Sequence, residues 1–445
     1  MTDELLTLAQ DLIARAKKLG ADGADAMAID ARGTDIEMRE GQIEKLERTE
    51  ARGLGLRVFV GQSSAMISGS VFTPDALQRL VETAVDMARA TPPDGLAGLA
   101  AHDLLATKFP ELDLVSNYLP DSDKLRSMAT DVEAAALAVA GVTKSGGAGA
   151  SASHRKIALA TSNGFAQAYQ RSSVSFSVSA IAGEGTTMER DYDYSAAVHF
   201  EDLKATGMVG KSAGERAVKR MGARKVASQS VPVIYDRRVA SSLVGHLSSA
   251  INGAAIARGT GFLKDRMGQQ IFARNISIVD DPLRLRGLAS RPFDGEGLAS
   301  TARAMIEEGV LTGWFLDLRA ARQLNLTPTG HGSRGLSSPP SPSSSNLHMA
   351  AGTLSPGEMI GSVARGLFVT ELIGNSVNMV TGDYSRGASG YWIENGELAY
   401  PVSEITIAGN LTHMFKTLQP ANDLEFKSST NAPTIFVDGL TIAGV

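Results

Sequence analysis

A chain of 445 residues exceeds one ordinary domain and points to two or three. Its net charge of -5, from 43 Lys and Arg against 48 Asp and Glu, leaves no basic field for nucleic-acid phosphates, so direct nucleic-acid binding is not expected. It has no cysteine, which excludes disulfides, thiolate nucleophiles, iron–sulfur clusters and cysteine-ligated zinc within the chain.

Hydrophobic residues make up 43% and charged residues 20%, the balance of a soluble globular protein with a sizeable core. The opening Met-Thr-Asp-Glu-Leu-Leu lacks the basic and apolar regions of a secretory signal. No run approaches the roughly 18 to 20 apolar residues that span a bilayer, so cytoplasmic action without a membrane partner is expected.

Residues 3–19 place Leu5, Leu8, Leu12, Ala16 and Leu19 on one face of an amphipathic helix. Alternating segments follow: Ile36 and Met38, the turn Glu40-Gly41-Gln42, then Ile43, with Leu54, Leu56, Val58 and Val60 in a further strand. Thr73 reads as an N-cap with Pro74 at the first helical position, opening a helix through Leu77, Val81, Ala84 and Ala88 that Thr91-Pro-Pro-Asp-Gly ends. A second helix is predicted over about 122–140. Ser162-Asn-Gly-Phe165 carries a two-residue hairpin signal. Serine alternates with apolar residues from Val174 to Ala180, giving a strand with one buried and one wet face. A helix over about 200–221 leads through a polar stretch to the strand Val231–Tyr235.

These features divide the chain near residue 226. Residues 1–225 form an N-terminal mixed α/β domain with helices on a sheet, and residues 226–445 a mostly antiparallel, barrel-like β domain, an α+β class overall. In the second part, Ile306–Trp314 and Tyr391–Tyr400 read as hairpins, the latter with an Asn-Gly turn. The run Ser333-Arg-Gly-Leu-Ser-Ser-Pro-Pro-Ser-Pro-Ser-Ser-Ser345 is too polar to pack a core and is expected to be a mobile surface loop.

One helix carries most of the chemical information. Asp236 can cap it; Val239, Leu243, Leu247, Ala250 and Ile251 form its apolar stripe, and His246 lies beside that stripe. A zinc site needs further N, O or S donors converging on one point, and a hydrolytic one also needs a base for the bound water. None of the seven histidines (His102, His154, His199, His246, His331, His348, His413) has a histidine partner three to five residues away. The plainer reading of His246 is a partly buried helix histidine bonded to a backbone or side-chain oxygen.

Gly387-Ala-Ser-Gly390 lacks the spacing of a nucleophile elbow and reads as a glycine-rich turn. Gly259-Thr-Gly261 and Gly183-Glu-Gly185 read as loops rather than phosphate cradles. The carboxylate pairs Asp191/Asp193, Asp280/Asp281 and Glu307/Glu308 fall at predicted turns or strand ends, where solvated acids are common. Residue chemistry alone gives no complete catalytic set.

The His246 helix, Gly259-Thr-Gly-Phe-Leu-Lys-Asp-Arg-Met-Gly268, Arg291-Pro-Phe-Asp-Gly-Glu-Gly297 and Ile306-Glu-Glu-Gly-Val-Leu-Thr-Gly-Trp314 occur in an order that resembles the TldD/PmbA family, long labelled "modulator of DNA gyrase". Leu326-Thr-Pro-Thr-Gly-His-Gly332, Ile393-Glu-Asn-Gly-Glu-Leu-Ala-Tyr-Pro401 and Val437-Asp-Gly-Leu-Thr-Ile-Ala-Gly444 extend the resemblance over essentially the whole chain. In that family the TldD-type subunit carries His-Glu-x-x-x-His on this helix and a zinc-ligating cysteine near the C-terminus. On that pattern the first histidine falls at Ser241, the glutamate at Ser242 and the second histidine at His246. Phe426-Lys-Ser-Ser-Thr-Asn-Ala-Pro433 offers no cysteine.

The resemblance therefore implies the PmbA (TldE)-type subunit, with no catalytic residue, no metal and no cofactor of its own. It implies a heterodimer with a TldD-type partner that carries the zinc, acting as a metalloprotease on small unfolded peptides, including toxin precursors and antitoxins. In isolation the chain could pair with a copy of itself. Two other readings stand beside this one. The first is a self-sufficient metallopeptidase in which His246 works with His331, His348 or an aspartate; the second is a non-proteolytic regulator of a partner such as gyrase.

Overall fold

The apolar stripe at the start of the chain forms α1 (Thr2–Lys18), burying Leu5, Ala9, Leu12 and Ala16 in the computed structural model, which describes residues 2–444. It packs on a six-stranded antiparallel sheet built from β1 (Gly23–Arg39), β2 (Gln42–Val60), β3 (Ser63–Gly69), β4 (Val142–Thr161), β5 (Ala166–Ala182) and β6 (Glu189–Ala197), in the order β3-β2-β1-β4-β5-β6. Three more helices complete this half: α2 (Pro74–Ala90), α3 (Ser122–Leu137) and α4 (Thr206–Lys219). The caps are those the sequence offers, since Thr73 accepts from Ala76 and Asp121 from Lys124.

Strand periodicity explains the layering. On β1 the even-numbered Ala24 and Ala26 pack under α1 and α2, and Ile36 and Met38 under α3 and α4, so all four helices cover one face. The odd-numbered Met27 and Ile29 face the other way and meet Phe293, Leu298, Leu318 and Leu336 from the second half of the chain. Along β5, Val174, Phe176, Val178 and Ala180 are buried while Ser175, Ser177 and Ser179 are partly or fully exposed, as the alternation requires.

The second half opens on β7 (Gln229–Tyr235) and α5 (Arg237–Ala250). Its barrel continues with β8 (Arg365–Val377), β9 (Asp383–Glu394), β10 (Glu397–Asn410) and β11 (Ile435–Ala443). β7 pairs in parallel with β8, then β8 with β9, β9 with β10, β10 with β11 and β11 with β7 antiparallel, closing five strands into a ring. Leu243, Val244 and Leu247 of α5 join Val233, Leu367, Val369 and Ile435 in the main core. The hairpin turns Glu40-Gly41, Glu308-Gly309 and Asn395-Gly396 all take two successive positive φ values. Among the described residues no helix is long and apolar enough to cross a membrane.

Four expectations are corrected. The predicted helix over 200–221 starts only at Thr206: Phe200–Asp202 make a single 3-10 turn, and the Lys204 N–H donates to Ser195 Oγ (3.0 Å) instead of entering the helix ladder. The hairpin at 162–165 has a longer loop than two residues, because Ala160 pairs with Ala166 and Phe165 turns inward. Gly387–Gly390 is the middle of β9 rather than a turn; a Cβ on Gly390 would fall inside the carbonyl of Phe368, so glycine lets β8 come close.

The polar run 333–345 is no free loop. Gly332–Ser333 and Ser341–Pro342 pair, Arg334 is buried, and Leu336 lies over Gly53 and Gly55 of β2. A Cβ on Gly55 would overlap the Leu336 carbonyl. Gly55→Ala is therefore expected to lift this segment and destabilise the protein by about 1–3 kcal/mol, the usual result of overpacking. A lowered urea midpoint with faster proteolysis inside 333–345 checks it.

Candidate functional site

Asp236 opens α5 by accepting from the Arg238 N–H (2.8 Å), and this fixes the first turn of the helix against β6. Arg238 reaches across to Asp191 (2.7 Å), while Arg216 approaches Asp193 (3.3 Å). Asp191 and Asp193 are thus buried and paired rather than solvated acids at a strand end, and Asp191, through Arg238, ties the two halves together. The Asp280 carboxylate is likewise buried, accepting from Ser345 and facing His331. Glu307 and Glu308 lie exposed at their turn, as expected.

Ser241 lines a cleft with Arg237 and Arg238 of α5, Tyr192 and Tyr194 of β6, and the segment from Glu425 to Ala432. The fold therefore brings Ser241 opposite the segment from Glu425 to Ala432. The cleft is about 70 Å³, the scale of a few waters or one side-chain group rather than a peptide. Its charges are already matched, Arg237 with Glu425 (3.0 Å) and Lys427 with Asp193 (3.5 Å).

Ser242 spends its hydroxyl on the Val239 carbonyl (2.6 Å). His246 lies five residues beyond Ser241, about 140° around the helix axis, and its ring meets Tyr384 of β9 edge-on at 5.9 Å. The expectation of an oxygen partner fails at its Nε2, which is buried without a hydrogen bond. Burial, and then the Arg386 guanidinium, push its pKa down to about 4.

This helix offers a zinc ion one imidazole and two serine hydroxyls. A metal dication at His246 would sit beside the Arg386 cation, and the two serines offer neither a second imidazole nor a carboxylate base. His331 is committed to Asp280 (3.1 Å) and Thr329 (2.8 Å), and His348 faces the Phe426 ring edge-on at 5.0 Å. Among the described residues no three of His, Asp or Glu come together in a metal-holding group.

One polar cluster holds the two acids of the Arg291–Gly297 motif, and a second escaped the sequence reading. Where the halves meet, Asp294 accepts from the N–H groups of Glu296, Leu298 and Gly332, and Glu296 accepts from Leu318 N–H (2.8 Å). Asp25 is held there between Arg57 and Arg334. The second cluster is Tyr235, Tyr384 and Arg386, at the barrel end beside His246. The i, i+2 spacing of Tyr384 and Arg386 on a strand was the only signal available for it.

Three consecutive family models match the chain: the PmbA/TldA metallopeptidase domain 1 over residues 24–88, the central domain over 117–221 and the C-terminal domain over 228–444. Metalloprotease PmbA of Escherichia coli O157:H7 is 37% identical over 426 residues, covering 95% of this chain and 93% of that protein. The crystal structure of a putative modulator of DNA gyrase from Bacteroides thetaiotaomicron superposes with a TM-score of 0.92 at 27% identity, covering 100% and 99% of the two chains. TldE from Thermococcus kodakarensis shares the fold with a TM-score of 0.88 at 20% identity, over 98% and 100%.

Proposed function

This chain belongs to the PmbA/TldD metallopeptidase family, and from that premise we propose that it is the PmbA (TldE)-type subunit of a two-subunit peptidase. On this reading a TldD-type partner carries the zinc, and the present chain completes the wall of a shared chamber in which small unfolded peptides are cut. The cytoplasm is its place of action. Without the partner, copies of the chain pair with one another.

The observation that supports this most directly is the donor set on α5. Ser241 and Ser242 stand where the partner type has a ligand and a base, and the surviving His246 faces a tyrosine and a cation rather than other ligands. A helix that is capped by Asp236 and packed into the core, yet offers a single imidazole, suits a subunit retained for shape.

Peptide cleavage by the chain alone, by a TldD-type subunit alone and by the mixture tests the proposal, with zinc quantified in each. Activity is expected only in the mixture, with zinc following the partner. About one tightly held zinc per chain, with activity of the isolated chain abolished by His246→Ala, would overturn it in favour of a self-sufficient enzyme. Failure of the two subunits to co-purify would overturn it in favour of a separate regulator.

A further inference from the structure

Four polar side chains converge where α5 meets the barrel strands β7 and β9. Tyr235 (0% exposed) comes from β7, and Tyr384 (1%) and Arg386 from β9. His246 reaches them from α5. Tyr384 and Arg386 lie two residues apart and so share a face of the strand. The Tyr235 and Tyr384 hydroxyls interact with each other and have no further hydrogen-bond partner among the described residues. Arg386 Nε and His246 Nε2 are buried and unpartnered. Arg386 makes no ion pair among the described residues, in a protein whose other buried arginines, such as Arg57, Arg238 and Arg334, each hold a carboxylate.

Buried donors left in this state are costly, about 1–3 kcal/mol each and more for a charged group, so a cluster of them calls for a reason. All four groups can donate: a guanidinium that is always charged, two phenols and an imidazole. Burial pushes the Tyr384 pKa up to about 12, so its phenol stays neutral and keeps its proton. His246 and Arg386 are only partly buried, whereas the two tyrosines are fully buried.

We propose that Arg386, Tyr235, Tyr384 and His246 form an oxyanion site that takes a carboxylate, either the free C-terminal carboxylate of a short peptide or a small free anion. The guanidinium supplies the charge and a forked pair of donors, and the phenols and imidazole complete the ring of hydrogen bonds around the oxygens. The site needs neither zinc nor a second subunit. It therefore stands or falls separately from the two-subunit reading.

Calorimetric titration of the full chain with N-acetyl-dialanine, with its C-terminal amide and with inorganic phosphate tests this. The free acid or phosphate is expected to bind, and the amide at least about tenfold more weakly than the acid, since it lacks the charge. Binding of acid but not phosphate assigns the site to peptide termini; binding of phosphate assigns it to small oxyanions at large. Arg386→Gln is expected to weaken binding at least about tenfold and Tyr384→Phe several-fold, with unfolding midpoints showing that each variant still folds. The His246 titration followed by NMR is expected to move up when the anion is bound. Equal binding of acid and amide, no binding of any of the three, or affinity untouched by Arg386→Gln would overturn the proposal. The acid-against-amide comparison uses the unaltered chain, so it holds even if a variant fails to fold.

Discussion

Asp25→Ala is expected to lower stability by about 3–5 kcal/mol, because it removes one side of a buried ionic cluster and leaves the other side charged. Asp25 is 1% exposed, on the face of β1 turned toward the second half of the chain. Arg57 of β2 donates to it from Nε at 2.9 Å, and Arg334 of the polar 333–345 segment donates from the other side. Burial alone would raise the Asp25 pKa, but Arg334 and Arg57 outweigh it and hold the carboxyl below its usual range. Without that carboxylate, two buried guanidiniums face each other. Arg334 is the worse placed, since its side chain is 0% exposed and its Nε and Nη2 already lack partners. The damage should fall on the contact between the halves as well as on overall stability. A urea midpoint lowered in step by tryptophan fluorescence and by circular dichroism checks it, whereas a change within the roughly 0.5 kcal/mol typical of a surface substitution would refute it. A group held below its usual pKa contributes stability above its unfolded value of 3.8 and loses it as pH falls through the folded value. Part of the acid sensitivity of the unaltered protein below about pH 4 should therefore be missing in the variant.

None of that cluster was visible along the sequence, and the reason is distance in the chain. Arg57 lies 32 residues from Asp25 and Arg334 lies 309. What could be read was local. Thr73-Pro74 capped a helix because the cap needs only its next three residues. The Val174–Ala180 alternation gave burial, and Asn395-Gly396 gave a turn, for the same reason. Composition misled where burial was supplied from afar. The serines and prolines of 333–345 read as unpackable, yet Gly53 and Gly55 leave room for Leu336 and so dock the segment. Asp191 and Asp193 read as solvated until Arg238 and Arg216 were seen to reach them. At the candidate site the helix and its Asp236 cap were legible. Tyr235, Tyr384 and Arg386 were not, since β7 and β9 lie far apart in the chain and are brought together by β8, which pairs with both.

The second large effect concerns the proton on Glu296. Burial, and then the neighbouring Asp294 carboxylate, push its pKa up to about 8, and burial raises Asp294 as well. The two acids crowd the same place, since a Cβ on Gly332 would meet Glu296 Oε2 at 2.8 Å and Asp294 Oδ2 at 3.0 Å. With both ionised, like charges would lie side by side in the interface between the halves, so the folded protein retains a proton there that the unfolded chain releases. The sign follows from that difference in bound protons: stability is full below the unfolded value of 4.5, falls as pH rises toward about 8, and is flat beyond. That span corresponds to several kcal/mol. Histidine works in the opposite direction over a lower range. His246, His348 and His154 are all held below 6.5 by burial, so each adds stability as pH rises toward 6.5 and nothing after it. Between pH 6.5 and 8 these three histidines add nothing, whereas the Glu296 proton is still being lost there. Glu296→Gln preserves an oxygen for the Leu318 N–H while removing the charge. The variant is expected to match the unaltered protein near pH 5, to lose the decline above pH 6.5, and to be the more stable of the two at pH 8.5. Urea midpoints of both proteins at the three pH values decide the matter, and parallel curves across that range would show that Glu296 is ionised in the fold.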